Sequence, residues 1–248
     1  MAAINRFSRL AVVAFSLLAA SCGGNYKSVY SYTGQQFVTT NEQGQKLFFV
    51  IAPVGKWEVW DYTNKEYSTR DLQFMYMGPN QGMINSELHL KFVKIAEINS
   101  EKDKKKWSSW LDSLTEKGLE EYIRVELMRS DPKSPNNRFF GAENLIGEVR
   151  HIAGVRCDYF SYLKHIGPKL SSEKFGGMGA GELFEYYECP VLRDGDIWEF
   201  RIDINYSLSD VAIQRGMNIQ FDKMVQDFKR MLKPSLESLK LFGDVKQK

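Results

Sequence analysis

The residues with the most specific chemistry in this 248-residue chain are its three cysteines, Cys22, Cys157 and Cys189. In an exported protein a thiol can form a disulfide or carry a lipid, and an odd number leaves one cysteine without an intrachain partner. Cys22 stands apart from the other two, directly after a short apolar run. This distribution favours an attachment role for Cys22. Cys157 and Cys189 are then either a disulfide pair or two small buried hydrophobic residues.

The segment before Cys22 has the composition of a secretory signal peptide. Arg6 and Arg9 supply positive charge, and the run LAVVAFSLLAA at 10–20 is eleven residues long. A helix needs roughly 20 apolar residues to cross a bilayer, so this run is too short to span one. A positive start, a brief apolar centre and small residues at the exit predict a cleaved export signal.

The residues LAASC at 18–22 resemble the bacterial lipobox, in which the cysteine receives diacylglycerol and becomes the mature N-terminus. They depart from the commonest pattern, because Ala19 stands where leucine is preferred. The resemblance implies a signal peptide over 1–21, a palmitate-type lipid on Cys22 and a membrane-anchored protein of the cell envelope. Ordinary secretion, with Cys22 unmodified or disulfide-bonded, is the alternative.

The charge of the chain changes when the signal is removed. The full sequence has 33 basic and 31 acidic residues, and loss of Arg6 and Arg9 takes the basic count to 31. The mature chain then carries a formal net charge of zero. Nucleic-acid-binding domains show a basic excess, so we expect no nucleic-acid partner.

Sequence patterns for catalysis are largely missing. No HExxH, GxSxG or phosphate-loop motif occurs, and the glycine-rich stretch at 176–181 lacks the last glycine of a dinucleotide fingerprint. The three histidines, His89, His151 and His165, are scattered singly, so we expect no metal, no cofactor and no catalytic group. A hydrolase site assembled from Asp158, His151 and Ser161 is a weaker alternative.

The remaining chain shows strand periodicity in two groups that enclose a helical region. The segment 22–36 is small and polar and is predicted to be a flexible tether, followed by one domain over 37–248. Alternating or short apolar runs predict strands at 37–40, 47–52, 57–60, 72–77, 88–98, 145–152, 155–164, 182–191 and 197–206.

Two regions have helical spacing. Ser100 stands three residues before Asp103, which is an N-cap signature for the first region, 100–127. The second is an amphipathic helix that starts at Phe221 and is expected to end at Pro234.

The first helical region carries a basic run beside two tryptophans. Its lysines are Lys102, Lys104, Lys105 and Lys106. They could contact anionic lipid headgroups, or they could be the solvated side of a helix whose tryptophans enter the core. The ordinary amphipathic period favours the solvated face.

A long glycine-rich loop at 165–181 separates two predicted strands. If these strands form a hairpin centred near Glu173, Cys157 and Cys189 lie opposite each other, sixteen residues from the centre. Cross-strand proximity is what a disulfide requires, so this register permits the bond.

Three stretches together resemble PsbP-like domains: LFFVIAPVGKWEVWD at 47–61, GEVRHIAGVRCDYFSYL at 147–163 and FDKMVQDFKRMLKPSLESLKL at 221–241. The resemblance implies an α+β fold in which an antiparallel β-sheet is flanked by helices as an α/β/α sandwich. Members of that family are mostly binding or assembly factors without catalytic groups. The expected function is therefore a non-catalytic module for another envelope protein, with a carrier of a small apolar ligand as the alternative.

Overall fold

The computed structural model describes residues 25–41, 43–64, 69–80, 82–96, 99–103, 105, 106, 109, 143–165, 181–209, 212, 215 and 219–243. Within these ranges the chain forms eleven strands and one long helix. The elements are β1 (Asn25–Tyr32), β2 (Gln36–Thr40), β3 (Lys46–Ile51), β4 (Lys56–Asn64), β5 (Thr69–Tyr76), β6 (Ile84–Ala96), β7 (Glu143–Ile152), β8 (Val155–His165), β9 (Gly181–Arg193), β10 (Asp196–Leu208), α1 (Phe221–Ser238) and β11 (Lys240–Leu241).

The strands form two antiparallel sheets. The large sheet has eight strands in the order β1-β4-β5-β6-β10-β9-β8-β7, and the small sheet has three in the order β11-β3-β2. The tight turn between β9 and β10 uses Asp194 and Gly195, both with positive φ (51° and 84°). This geometry suits the twist of a two-residue hairpin, as the Asp-Gly pair predicts.

The main core lies between one face of the large sheet and a cover made of the small sheet and α1. Phe48 of β3 contacts Phe200 of β10 with ring centroids 5.5 Å apart. Phe228 of α1 packs edge-on against Tyr76 of β5 at 4.9 Å. Aromatic pairs in these arrangements add about 0.5–1.5 kcal/mol beyond the burial of their area.

The opposite face of the large sheet is polar along its middle strands. Lys91 of β6 lies 3.3 Å from Asp203 of β10, and both side chains are half-buried. His89 lies 3.7 Å from Asp71 of the neighbouring β5. Antiparallel sheets commonly have one core face and one partly solvated face, and these cross-strand pairs follow that pattern.

The expected α/β/α sandwich is wrong. Over the described residues the fold is predominantly antiparallel sheet, and a second sheet shares the cover of the core face with α1. The stretch 47–61 is divided between the two sheets: β3 joins the small one and β4 the large one, with Pro53 and Gly55 (φ 105°) between them. Local alternation predicts a strand without saying which sheet it joins, so this layer was missed.

The predicted tether over 22–36 needs a correction. Residues 25–32 form β1, which pairs with β4 along its whole length from Asn25–Thr63 to Tyr32–Lys56. Val29 packs against the core and Ser31 is fully buried. A short polar strand of this kind is held by its ladder more than by its apolar content, which explains why the sequence pattern was weak.

The predicted end of the last helix at Pro234 is also wrong, since α1 continues to Ser238. The amide of Val54 donates to the Met231 carbonyl at 2.9 Å, and the amide of Ile51 donates to the Ser238 hydroxyl at 2.8 Å. These contacts to the loop after β3 and to β3 itself hold the last turn, although proline inside a helix costs about 3 kcal/mol.

Most of the first predicted helical region, 100–127, lies outside the described residues. Residues 101–103, 105, 106 and 109 are helical. The Ser100 hydroxyl accepts from the amide of Asp103 at 3.1 Å, which confirms the predicted N-cap. Among the described residues, no helix has the length and apolar character needed to cross a membrane.

Candidate binding groove and the Glu185 cluster

A groove lies between α1 and the turn that connects β5 to β6. It has a volume of about 310 Å³ and is open to solvent on one side. Its apolar lining consists of Tyr76, Ile84, Ile219, Met224, Phe228 and Met231. Its polar lining consists of Asn80, Gln220, Lys223 and Asp227, all of them exposed. An apolar floor with a polar rim is typical of binding sites, and this volume lies at the small end of their range.

The periodicity of α1 places its residues in the groove. Phe221, Met224, Val225, Phe228 and Leu232 form the buried stripe of the helix. Two residues of this stripe, Met224 and Phe228, also line the groove. The sequence predicted this stripe correctly, but it could not show that the β5–β6 turn leaves space beside it.

The β5–β6 turn is shaped by residues with restricted geometry. Asn80 has a positive φ of 65°, and its carbonyl accepts from the amides of Met83 and Ile84. A Cβ atom on Gly78 would lie 1.9 Å from the hydroxyl oxygen of Tyr76. Glycine at this position therefore allows the Tyr76 ring to form part of the groove floor.

A buried polar cluster, which we call the Glu185 cluster, lies near Phe228, whose ring centroid is 6.5 Å from that of Tyr206. Glu185 of β9 is 5% exposed. Its carboxylate accepts hydrogen bonds from the hydroxyl of Tyr159 at 2.7 Å, the hydroxyl of Tyr206 at 2.9 Å and the ammonium of Lys229 at 2.9 Å. A buried carboxylate is tolerated only when donors of this kind replace its water.

Burial and the nearby carboxylate determine the protonation of the tyrosines. Desolvation is the main cause that raises the pKa of Tyr206 far above its ordinary value, and the charge and hydrogen bond of Glu185 add to it. The same causes, in the same order, raise the pKa of Tyr159. Both phenols therefore stay protonated at neutral pH and act as donors, so the cluster holds a carboxylate in place and is not organised for tyrosinate chemistry.

Arg150 of β7 extends the cluster toward solvent. Its guanidinium lies 3.5 Å from the ring centroid of Tyr159 and donates to the Tyr187 hydroxyl at 3.2 Å. It also pairs with Glu148 on the same strand. Cation–π and hydrogen-bond contacts together fix Arg150 at the margin of the core.

The two downstream cysteines form a disulfide. Cys157 and Cys189 are bonded, with their Cα atoms 4.2 Å apart. The register of β8 and β9, from Asp158–Glu188 to His165–Gly181, places residues 157 and 189 opposite each other. This is the register that the hairpin argument requires. The glycine-rich loop 166–180 lies outside the described residues.

Of the other residues singled out in the sequence, two lie outside the described residues and three lie at the surface. Cys22 and Lys104 lie outside the described residues, whereas Lys102, Lys105 and Lys106 are exposed. They remain candidates for headgroup contact.

The weaker hydrolase site is not assembled. Asp158 and Ser161 both lie on β8, and an odd spacing of three residues places them on opposite faces of the sheet. His151 pairs with Arg156 beside the β7–β8 turn and is exposed, whereas Asp158 is buried, so Ser161 on the opposite face has neither residue as a partner. Among the described residues, no group of three or more histidine, cysteine, aspartate and glutamate side chains could hold a metal ion.

Glu185 is a special position that the sequence patterns did not single out. In β9 the core-facing positions are Leu183, Glu185, Tyr187, Cys189 and Val191. A single carboxylate at a core-facing position of an otherwise apolar strand face predicts a buried polar site, because such a residue needs hydrogen-bond donors inside the protein. Which donors it finds depends on β8, β10 and α1 together.

Comparison of the chain with protein-family models, with curated proteins and with solved structures finds no match in any of the three.

Proposed function

We propose that this protein is a cell-envelope lipoprotein, anchored through lipidated Cys22, that binds another envelope protein in the groove beside α1 without catalysing a reaction. The observation that carries the binding role is the half-open groove of about 310 Å³. Its apolar floor and charged rim fit an apolar side chain of a partner that also presents polar groups.

The shape of the groove favours a protein partner over an enclosed ligand. Small-molecule sites usually bury 70–90% of the ligand, whereas this groove is open on one side and small. Lys223 and Asp227 put both signs of charge on the rim, which suits a polypeptide surface of mixed charge. A carrier of a small apolar ligand is the second candidate, supported by the six apolar residues of the lining.

The anchor rests on the export signal and the cysteine at its end. Acyl chains on Cys22 would bury many methylene groups, each contributing about 0.8 kcal/mol, so several chains on one residue hold a protein stably on a membrane. The remaining two cysteines are joined to each other, so Cys22 is the odd cysteine of three.

The anchor is tested by Cys22→Ser in the full chain, with Ser21→Ala as a matched control. We expect Cys22→Ser to leave an uncut precursor or a product released from membranes, whereas Ser21→Ala keeps the small residue that processing accepts. The measurement is membrane retention after washes with high salt and carbonate. Unchanged retention of a processed Cys22→Ser chain would contradict lipid anchoring.

The binding role is tested by photo-crosslinking in intact cells. A crosslinking residue at Lys223 on the groove rim should capture one protein, whereas the same residue at Lys233, exposed on α1 outside the groove, should not. Ile84→Trp adds bulk to the groove wall and should abolish the Lys223 product. Equal capture from both positions, or capture that survives Ile84→Trp, contradicts the groove as the contact site.

A further inference from the structure

We infer that the end of the large sheet at which β1 begins faces the membrane, with the exposed lysines after β6 against anionic phospholipid headgroups and the groove directed away. This inference rests on the proposed lipid anchor at Cys22. Three independent features of the fold carry it: the length of the link to β1, the register of the strands, and the position of the basic segment.

The link between the anchor and the folded sheet is very short. β1 begins at Asn25, three residues after Cys22. A fully extended chain of three residues spans at most about 11 Å. A lipidated Cys22 lies at the headgroup boundary, so Asn25 is held within about 11 Å of the membrane surface.

The strand register shows what else lies at this end. Asn25 pairs with Thr63 of β4, and Arg70 of β5 pairs with Phe92 of β6, so these residues lie at about the same level along the sheet. β6 continues four residues beyond Phe92 to Ala96, which is about 13 Å farther in the same direction. This extension of β6 is about as long as the link of about 11 Å between Cys22 and Asn25. When this end of the sheet faces the membrane, the end of β6 therefore reaches the headgroup level.

The basic segment starts from this extension. Ser100 follows Ala96 by four residues, a distance of at most about 14 Å, and caps the helical segment that begins at 101. Lys102 and Lys105 are exposed on that segment. The segment 101–106 (EKDKKK) carries four lysines against Glu101 and Asp103, which gives a formal net charge of +2. Anionic phospholipid is therefore the chemistry that this end of the sheet fits.

The groove lies at the other end of the same strands. Tyr76 pairs with Trp57, which lies six residues along β4 from Thr63 and so about 20 Å from the Asn25 end. Ile84 of the groove wall pairs with Leu208 at that far end. The orientation leaves the groove accessible to a partner that is not embedded in the same membrane.

The test uses the full chain, purified from the cells that export it, in vesicles that contain 30% phosphatidylglycerol in phosphatidylcholine. A fluorophore is attached at a single new cysteine, Glu101→Cys or Gln220→Cys, and a quencher is attached to the lipid headgroups. We expect at least threefold stronger quenching at 101 than at 220 on the groove rim. Equal quenching, or stronger quenching at 220, overturns the orientation.

A second comparison separates the lysines from the short link. Two double variants are compared, both with the label at 101. The first combines Lys102→Gln with Lys105→Gln, and the matched control combines Lys223→Gln with Lys233→Gln on α1. Each lysine near an anionic surface raises the equilibrium constant for contact with the headgroups about fivefold. The first pair of substitutions should therefore lower this constant about 25-fold, and the second pair should leave it unchanged. In vesicles of phosphatidylcholine alone this difference should vanish. Equal effects of the two pairs in the anionic vesicles overturn the headgroup contact.

Failure of the anchor itself gives a different result. A chain that does not float with the vesicles shows that Cys22 carries no lipid, which overturns the proposed anchor and the orientation with it. A chain that floats but shows equal quenching at 101 and 220 overturns the orientation alone.

Discussion

Tyr206→Phe removes one hydroxyl from the Glu185 cluster and leaves the buried ring in place. Tyr206 is 1% exposed, and its hydroxyl donates to the Glu185 carboxylate at 2.9 Å. Hydrogen bonds to charged groups contribute about 1.5–3 kcal/mol when buried. We expect the free energy of unfolding to fall by about 2 kcal/mol and the Tm by about 4–8 °C.

The same substitution changes how stability depends on pH. Burial first, and then Glu185, raise the pKa of Tyr206 in the folded protein above that of the unfolded chain, which is about 10. The stability that this raised pKa contributes is therefore fully present below pH about 10, and it is lost as the pH rises further. The loss is about 1.4 kcal/mol per pH unit for each such tyrosine, so the variant should have the shallower slope by that amount.

The assay is urea denaturation followed by tryptophan fluorescence at pH 7 and at intervals from pH 10 to 11.5. Tyr30→Phe is the matched control, because Tyr30 is 52% exposed. We expect the control to match the parent protein at every pH. A loss below about 0.5 kcal/mol at pH 7, together with a parent-like slope above pH 10, would refute the role assigned to the Tyr206 hydroxyl.

Three further predictions concern the rest of the fold. Replacing both Cys157 and Cys189 by alanine should lower the free energy of unfolding by about 3–4 kcal/mol, because the bond joins residues 32 apart in sequence. Chemical denaturation with and without reductant checks this, and a loss below about 1 kcal/mol contradicts it. Gly78→Ala should cost about 1–3 kcal/mol, because the new methyl group displaces the Tyr76 ring; thermal unfolding at the parent Tm would mean that the turn absorbs the methyl group. Phe200→Ala, at a fully buried position, should cost about 3–5 kcal/mol in chemical denaturation, and an effect under 1 kcal/mol would place Phe200 outside the core.

Local patterns predicted individual elements well. In β10 the residues Phe200, Ile202 and Ile204 alternate with charged residues, and all three are buried. Their parity decides which face is apolar, so a strand buried on one face can be predicted from the sequence without knowing its neighbours. A hairpin centred near Glu173 was one register that the sequence permitted, and β8 and β9 adopt it.

Contacts between distant segments could not be predicted in this way. β1 is a polar strand whose pairing with β4 satisfies its backbone, and the sequence of β1 carries little apolar signal for it. α1 passes Pro234 because Val54 and Ile51 bond to its last turns. In both cases the deciding partner lies on another segment of the chain.

By itself the sequence determined the strand faces, the turns and the apolar stripe of α1, and it permitted the register that brings Cys157 and Cys189 together. These depend on the alternation of side chains within a segment and on residues such as glycine and proline with restricted backbone geometry. Only the tertiary structure decided that β3 belongs to a second sheet, that Glu185 is surrounded by two phenols and an ammonium, and that a groove remains beside α1. The physical reason is that layer assignment, buried polar partners and cavities depend on how separate segments pack, which no local periodicity encodes.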